Sequence, residues 1–167
     1  MKAIIFCVET NRQANTDWIY ISETLRRFYN TEQIKKDRIY MGTKGKYKSR
    51  NVIDEINSWK KVYKDELVVV YCIDTDQYES NANHKKELEE IERYCKDKGY
   101  EFVWFCHDVE EVYLGESIAN TAKKKESIRF LRSNNIKKID SKQLCGATMR
   151  KSYSNIMTVL DKHLGRK

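Results

Sequence analysis

Two aspartates separated by one residue, Asp74 and Asp76, follow directly on the apolar run Leu67-Val68-Val69-Val70-Tyr71-Cys72-Ile73, and Glu9 closes a similar run, Ala3-Ile4-Ile5-Phe6-Cys7-Val8. Carboxylates gathered in one place repel one another unless a cation shares them, and oxygen donors suit Mg2+ or Mn2+ rather than zinc. Aspartates at this spacing aim in the same direction where the backbone leaves a strand smoothly. A glutamate from a neighbouring strand then completes the shell or serves as general base toward water or a hydroxyl. Metal-dependent phosphoryl transfer is the chemistry these residue types support.

The elements that must position them are legible as hydrophobic runs. Continuous apolar, β-branched stretches read as strands buried on both faces, so Glu9 and Asp74 are expected at the C-terminal edge of a parallel sheet, where open α/β sheets place their sites. A strand over about 2–9 leads to a helix over about 16–29, with Trp18, Ile21, Leu25 and Phe28 at helical spacing and Asn15 or Thr16 as its cap. A short strand near Arg38-Ile39-Tyr40-Met41 precedes a turn-like stretch, 42–50, and a helix over about 51–64. The strand ending at Asp74 is followed by a polar loop, 75–82, a helix over about 83–98 closed by Gly99, and a strand over 100–106 ending at His107-Asp108. This β-α-β-α-β-α-β order predicts an α/β fold: a mostly parallel sheet with helices on both faces and a helical C-terminal part. In that part the pattern predicts a short turn at about 109–114, helices at about 117–134 and 147–164, and a short edge strand at Ile136-Lys137-Lys138-Ile139. The last helix carries Met149, Tyr153, Ile156, Leu160 and Leu164 as an apolar stripe.

The chain has 167 residues, enough for one domain (1–167) that buries roughly 70% of its unfolded surface. No proline-rich linker, internal repeat or low-complexity segment divides it. No apolar stretch approaches the ~18 residues of a membrane span, and Met1-Lys2-Ala3-Ile4 runs straight into a strand, so a cytoplasmic protein is expected. Five cysteines without CxxC spacing read as buried small hydrophobes, and no zinc pattern is visible among them. A net charge of +7 with pI ≈ 9.1 and mean hydropathy of −0.77 favours polyanionic partners such as nucleic acid.

The motifs Val8-Glu9-Thr10 and Ile73-Asp74-Thr75-Asp76-Gln77, joined downstream by Glu111-Val112-Tyr113-Leu114, give the chain a resemblance to the Toprim superfamily. More narrowly, it is similar to the small bacterial RloB-like and related Toprim-type proteins of restriction and abortive phage defence. The resemblance covers about residues 1–135 by element order. It implies Mg2+- or Mn2+-dependent phosphodiester cleavage of nucleic acid, with Glu9 as base or ligand, Asp74 and Asp76 as metal ligands, and Glu111 as a further ligand for which Glu110 competes. One departure stands out: Toprim glutamates are usually followed by glycine, and Thr10 stands here. Its side chain restricts close approach of backbone or substrate. A catalytically inactive Toprim-like domain that binds nucleic acid or a partner protein is therefore the alternative.

Basic residues interleave with Tyr47 at Lys44, Lys46, Lys48 and Arg50, an arrangement able to contact successive phosphates and offer a stacking ring. Lys123, Lys124 and Lys125 with Arg129 and Arg132 form a second basic face, and Lys137, Lys138, Lys142, Arg150 and Lys151 a third. Gly42-Thr43-Lys44-Gly45-Lys46 lacks the GxxxxGK[ST] pattern, so ATP hydrolysis would fall to a partner ATPase supplied in trans. A homodimer would double the basic footprint. A receiver-like phosphoacceptor is disfavoured, because such domains carry an acidic pair after the first strand and a lone aspartate later, the reverse of the order here.

Overall fold

The computed structural model describes residues 2–167. Its strands β1 (Ala3–Val8), β2 (Lys35–Tyr40), β3 (Leu67–Asp74) and β4 (Glu101–Phe105) form one sheet in the order β2-β1-β3-β4, every neighbouring pair parallel. The α/β fold with a parallel sheet is thus as expected. Between and after the strands run α1 (Thr16–Phe28), α2 (Arg50–Tyr63), α3 (Ala82–Lys98), α4 (Val109–Leu114), α5 (Asn120–Arg132) and α6 (Ile156–Leu160). No helix of the described residues is long and apolar enough to cross a membrane.

β1 is buried along its whole length because both faces of the sheet are covered. Ile4, Phe6 and Val8 share one core with Tyr20, Ile21 and Leu25 of α1, Phe130 of α5 and the C-terminal Ile156 and Leu160. Ile5 and Cys7 point the other way, into a core with Val52 and Ile56 of α2 and Leu88, Ile91 and Cys95 of α3. Each fully buried Val, Leu, Ile or Phe side chain contributes about 1.5–3 kcal/mol, and this two-sided core is what tolerates charged groups at the sheet edge. Cys7, Cys72, Cys95 and Cys106 are buried thiols, and Cys145 is half-buried.

Local signals set the helix ends. Ser49 accepts a hydrogen bond from Val52 N, Asn81 caps α3 through Asn83 N and His84 N, and Gly99 closes α3 at φ 69°. Asn15 precedes α1 but does not cap it with its side chain: it adopts a left-handed φ of 51°, and its Oδ1 accepts the Tyr40 hydroxyl at 2.6 Å. The expected turn at 109–114 is the helix α4, capped by Asp108 Oδ1, which accepts Glu111 N at 2.8 Å.

The C-terminal third departs from the predicted helix over 147–164. Helix survives only at α6, because tertiary partners claim the preceding backbone. Ser152, at φ 64°, donates its N–H to Cys106 O at 2.8 Å; Cys106 N donates to Tyr153 O, and Ser154 N to Gln143 O. Asn155 then imitates a strand along β4, accepting Trp104 N at 2.9 Å and donating to Phe102 O at 3.0 Å. The expected edge strand at 136–139 is instead a 3-10 turn, Asn135–Lys138, entered through Asn134 at φ 51°.

Candidate metal centre

The parallel register pairs Cys7 with Tyr71, so Glu9, just past β1, lies beside the last residues of β3. Glu9 Oε2 there accepts the backbone N–H of Asp74 at 2.5 Å, and Asp74 Oδ1 accepts Val109 N from the start of α4 at 3.1 Å. The backbone does not continue smoothly to Asp76. That residue takes a left-handed φ of 49° and donates its N–H to His107 O at 2.9 Å. The two aspartates therefore diverge rather than aim together. Asp76, its side chain 41% exposed, lines an open cleft of about 540 Å³ with Gln77, His84, His107, Asp108 and Ser117.

Asp74 turns instead toward a group of acids. Burial pushes its carboxyl well above the usual carboxylate range, and Glu9, Asp17, Glu110 and Asp108 push it further. Burial, first, raises Glu9 to about 8, against the opposing pull of Lys44 and of the Asp74 N–H. Burial together with Glu110 raises Asp17 to about 6, and burial raises Glu110 against the nearby Lys123. Asp17 reaches the site from the first turn of α1, its Oδ2 accepting Thr10 N at 3.3 Å. From α4 comes Glu110, which is 1% exposed.

Two lysines answer these acids. Lys44, from a 3-10 turn before α2, donates from Nζ to the Asp74 carbonyl at 2.9 Å and to Asp76 Oδ2. Burial works against its ammonium, but Glu9 and Asp76 outweigh that and hold its pKa above the ordinary value. Lys123 from α5 lies 3.1 Å from Glu110 Oε2 and 3.7 Å from Asp108 Oδ2. Its approach to Glu110 is an ion pair without hydrogen-bond geometry, since Glu110 Oε2 has no hydrogen-bond partner.

The sequence-predicted residues thus separate. Glu9 and Asp74 are brought together, and Asp76 is tied to them through Lys44 and acts on Glu9 by charge. Of the adjacent acids, Glu110 faces Asp74, whereas Glu111 Oε2 accepts both His107 N at 2.7 Å and His107 Nδ1 at 2.8 Å. Lys44 does not stand on the surface as a phosphate contact; it is buried in the acidic site. Nor does Tyr47 offer a stacking ring: it is buried, edge-on to Tyr94, with its carbonyl accepting the Tyr71 hydroxyl. Lys46, Lys48 and Arg50 are exposed.

Asp17 and Lys123 have no place in the site expected from sequence. A signal for Asp17 exists: it lies three and four residues before Tyr20 and Ile21, on the inward face of α1, where an acid is out of place unless other groups engage it. Lys123 is hidden within the run Lys123-Lys124-Lys125, of which it alone turns inward to acids.

Among the described residues, the oxygens of Glu9, Asp74 and Asp76 do not all lie within 4.8 Å of one another. Mg2+ does not need them to, because it retains several waters and binds through one or two carboxylates. Two further observations fit such an ion. The acids Glu9, Asp17, Asp74, Asp108 and Glu110 outnumber the lysines Lys44 and Lys123, and burying unbalanced charge costs several kcal/mol per ion. In addition, among the described residues the buried side-chain oxygens without a hydrogen-bond partner are Thr10 Oγ1, Tyr20 OH, Thr75 Oγ1 and Glu110 Oε2. The two threonines adjoin Glu9 and Asp74, and the acid acting most strongly on Tyr20 is Glu110. Comparisons of the chain with family models, with curated proteins and with solved structures found no match.

Proposed function

We propose that the carboxylate cluster around Asp74 binds Mg2+ or Mn2+ and that the protein hydrolyses phosphodiester bonds in nucleic acid. The observation that carries this is the surplus of buried and half-buried acids at the C-terminal edge of a parallel sheet, where burial first, and neighbouring acids after it, push Glu9, Asp17 and Asp74 toward protonation. A bound divalent ion would supply a Lewis acid for the phosphoryl oxygen and an ionised water. The chain's own residues do the rest. Asp74 and Glu9, linked by the Asp74 N–H, would be the first ligands, and Glu110 and Asp17 act on Asp74 by charge. Glu9, oriented by the Asp74 N–H, is placed to take a proton from an attacking water, and Lys44 is placed to balance charge beside Asp76. Lys46, Lys48 and Arg50 on one side, and Lys124, Lys125, Arg129 and Arg132 along α5, offer cations to a phosphate backbone.

The resemblance to Toprim-type proteins of phage defence suggests foreign nucleic acid as the substrate, with any ATP hydrolysis left to a partner protein. A second function, binding without chemistry, is favoured by one observation: Lys44 already pairs with Asp76 and hydrogen-bonds the Asp74 carbonyl from within, and Thr10 stands where glycine would ease approach.

The deciding experiment incubates single- and double-stranded DNA and RNA with the protein in Mg2+, Mn2+ or EDTA, beside Asp74→Asn. Metal-dependent cleavage that disappears in the variant supports hydrolysis. Salt-sensitive binding that persists in EDTA, with no cleavage under either metal, overturns hydrolysis in favour of the binding function.

A further inference from the structure

Beside the cleft that Asp76 lines, three donors of different chemistry converge. Glu79 from the loop after β3, and Cys106 and His107 from the end of β4, each present a ligand atom within 4.8 Å of the other two. Nothing in the proposed hydrolysis uses them. We infer that Glu79, Cys106 and His107 form a second, separate metal site for a borderline transition-metal ion, with Zn2+ the foremost occupant and water completing a tetrahedral shell.

Donor chemistry separates this site from the first. A thiolate and an imidazole are poor ligands for Mg2+ and good ones for Zn2+, and three protein ligands plus water is the arrangement of an open zinc site. Tetrahedral Zn–S and Zn–N or Zn–O bonds of about 2.3 and 2.0–2.1 Å place donors roughly 3.3–3.8 Å apart. The three donors lie within 4.8 Å of one another, and Glu79, 47% exposed, has the freedom to adjust to such a shell.

The outer shell is already in place. His107 Nδ1 lies 2.8 Å from Glu111 Oε2, which also accepts His107 N at 2.7 Å, so the ring is oriented with Nδ1–H toward a carboxylate and Nε2 toward Glu79 Oε1 at 2.8 Å. A carboxylate behind a ligating histidine fixes its tautomer and raises its basicity. Cys106 is held on both sides of its peptide, N to Tyr153 O at 3.0 Å and O from Ser152 N at 2.8 Å. His107 and His84 line the open cleft of about 540 Å³, which gives an ion its way in. On binding, the Cys106 thiol proton and the proton between Nε2 and Glu79 leave to solvent, and sulfur and nitrogen lone pairs form the new bonds. Sequence spacing does not show the site, because Glu79 lies far from Cys106 and His107 along the chain and the loop and β4 meet only in the fold.

Because Asp76 N is held by His107 O at 2.9 Å, an ion here ties the loop carrying Asp76 and Glu79 to the end of β4. The site is thus placed to set the stiffness of that loop independently of the ion at Asp74.

The test is titration of the full chain with CoCl2, read by absorption, followed by ZnCl2 in competition. One equivalent of Co2+ is expected to give a thiolate-to-cobalt charge-transfer band in the near ultraviolet, which zinc then removes. Cys106→Ser should abolish the band, Cys145→Ser should leave it unchanged, and Glu79→Gln and Glu111→Gln should each weaken Co2+ affinity by about tenfold or more. Co2+ bound by the carboxylates around Asp74 gives no such band, so Asp74→Asn should retain it whether or not nucleic acid is cleaved. A folded wild-type protein without the band, or a band surviving Cys106→Ser, overturns the site. Where circular dichroism shows Cys106→Ser unfolded, the exposed Glu79→Gln decides, and unchanged Co2+ affinity there overturns it equally.

Discussion

Glu9 reaches across from β1 to accept the backbone N–H of Asp74, the last residue of β3, at 2.5 Å. A side chain of one strand thereby fixes the main chain of the next at the point where the sheet ends. That hydrogen bond holds the two acids together, and their mutual repulsion is built into the folded state.

Asp74→Asn relieves that repulsion and removes the central ligand. We expect Mg2+-dependent cleavage to fall by about 10²-fold or more, on the scale of losing one essential transition-state group. The metal-free variant should melt no lower than the wild type. A variant that cleaves normally, or that unfolds, contradicts the role given to Asp74.

The raised carboxyls set a pH dependence with a definite sign. Glu9, pushed up to about 8, and Asp17, to about 6, favour the folded state in their protonated forms, so their stabilisation is complete below the usual carboxylate range and is lost as pH rises through those values. Metal-free protein should therefore lose Tm between about pH 5 and pH 8. Mg2+ at 100 times its Kd at pH 8 adds about 2.7 kcal/mol there, or about 5–10 °C in Tm, and the same Mg2+ concentration should add less at pH 5.5, where the acids are protonated. Differential scanning fluorimetry at both pH values with and without Mg2+ checks it, and equal shifts would count against an ion bound by these acids.

Lys44 competes with any cation for Asp76. In Lys44→Met the absence of its bonds should cost about 1–2 kcal/mol, less than the 3–5 kcal/mol of a fully buried pair, because Asp76 remains open to water. Mg2+ should bind about tenfold more tightly once the ammonium is gone. Weaker binding by calorimetry would mean that Lys44 supports the ion rather than opposing it.

Exposed cations near the site should govern affinity for nucleic acid but not chemistry. Replacing Lys46, Lys48 and Arg50 together with alanine should lower the dependence of log K on log salt by about 0.9 for each duplex phosphate that these side chains neutralise. Fluorescence anisotropy across a salt series measures it. An unchanged slope would move the interface elsewhere, with the α5 face as the next place to look.

Packing around β4 makes a prediction about the fold alone. A Cβ at Gly146 would lie 2.8 Å from Trp104 Cη2 and 3.2 Å from the Ser154 carbonyl. Gly146→Ala should destabilise the protein by about 1–3 kcal/mol, read from urea unfolding. A neutral result would show that Trp104 is able to swing aside.

Much of the fold is legible because parallel strands buried on both faces leave unbroken apolar runs, as in β1 and β3. β2 is only half visible. Lys35, Lys36 and Asp37 lie on an edge strand, where charge is tolerated, so only Arg38-Ile39-Tyr40 carries a strand signal. The C-terminal stripe from Met149 to Leu164 has the spacing of a helix but, before Ile156, not the backbone of one. Ile156 and Leu160 are core residues, while the peptides of Ser152 and Ser154 are bonded to Cys106 and Gln143, partners that spacing cannot reveal. The meeting of Glu9 with Asp74 follows from strands of the same sheet. The divergence of Asp76, the inward turn of Lys44 and the choice of Glu110 over Glu111 depend on single φ angles and on which side of a short helix an acid emerges.

Asn155, lying along β4 and occupying its Trp104 N–H and Phe102 C=O, has a consequence for how copies of this protein can meet. On that flank a stranger's strand finds two ladder positions already taken, and on the other flank the exposed Lys35 and Lys36 disfavour pairing. Filament growth by strand addition is disfavoured at both edges of the sheet.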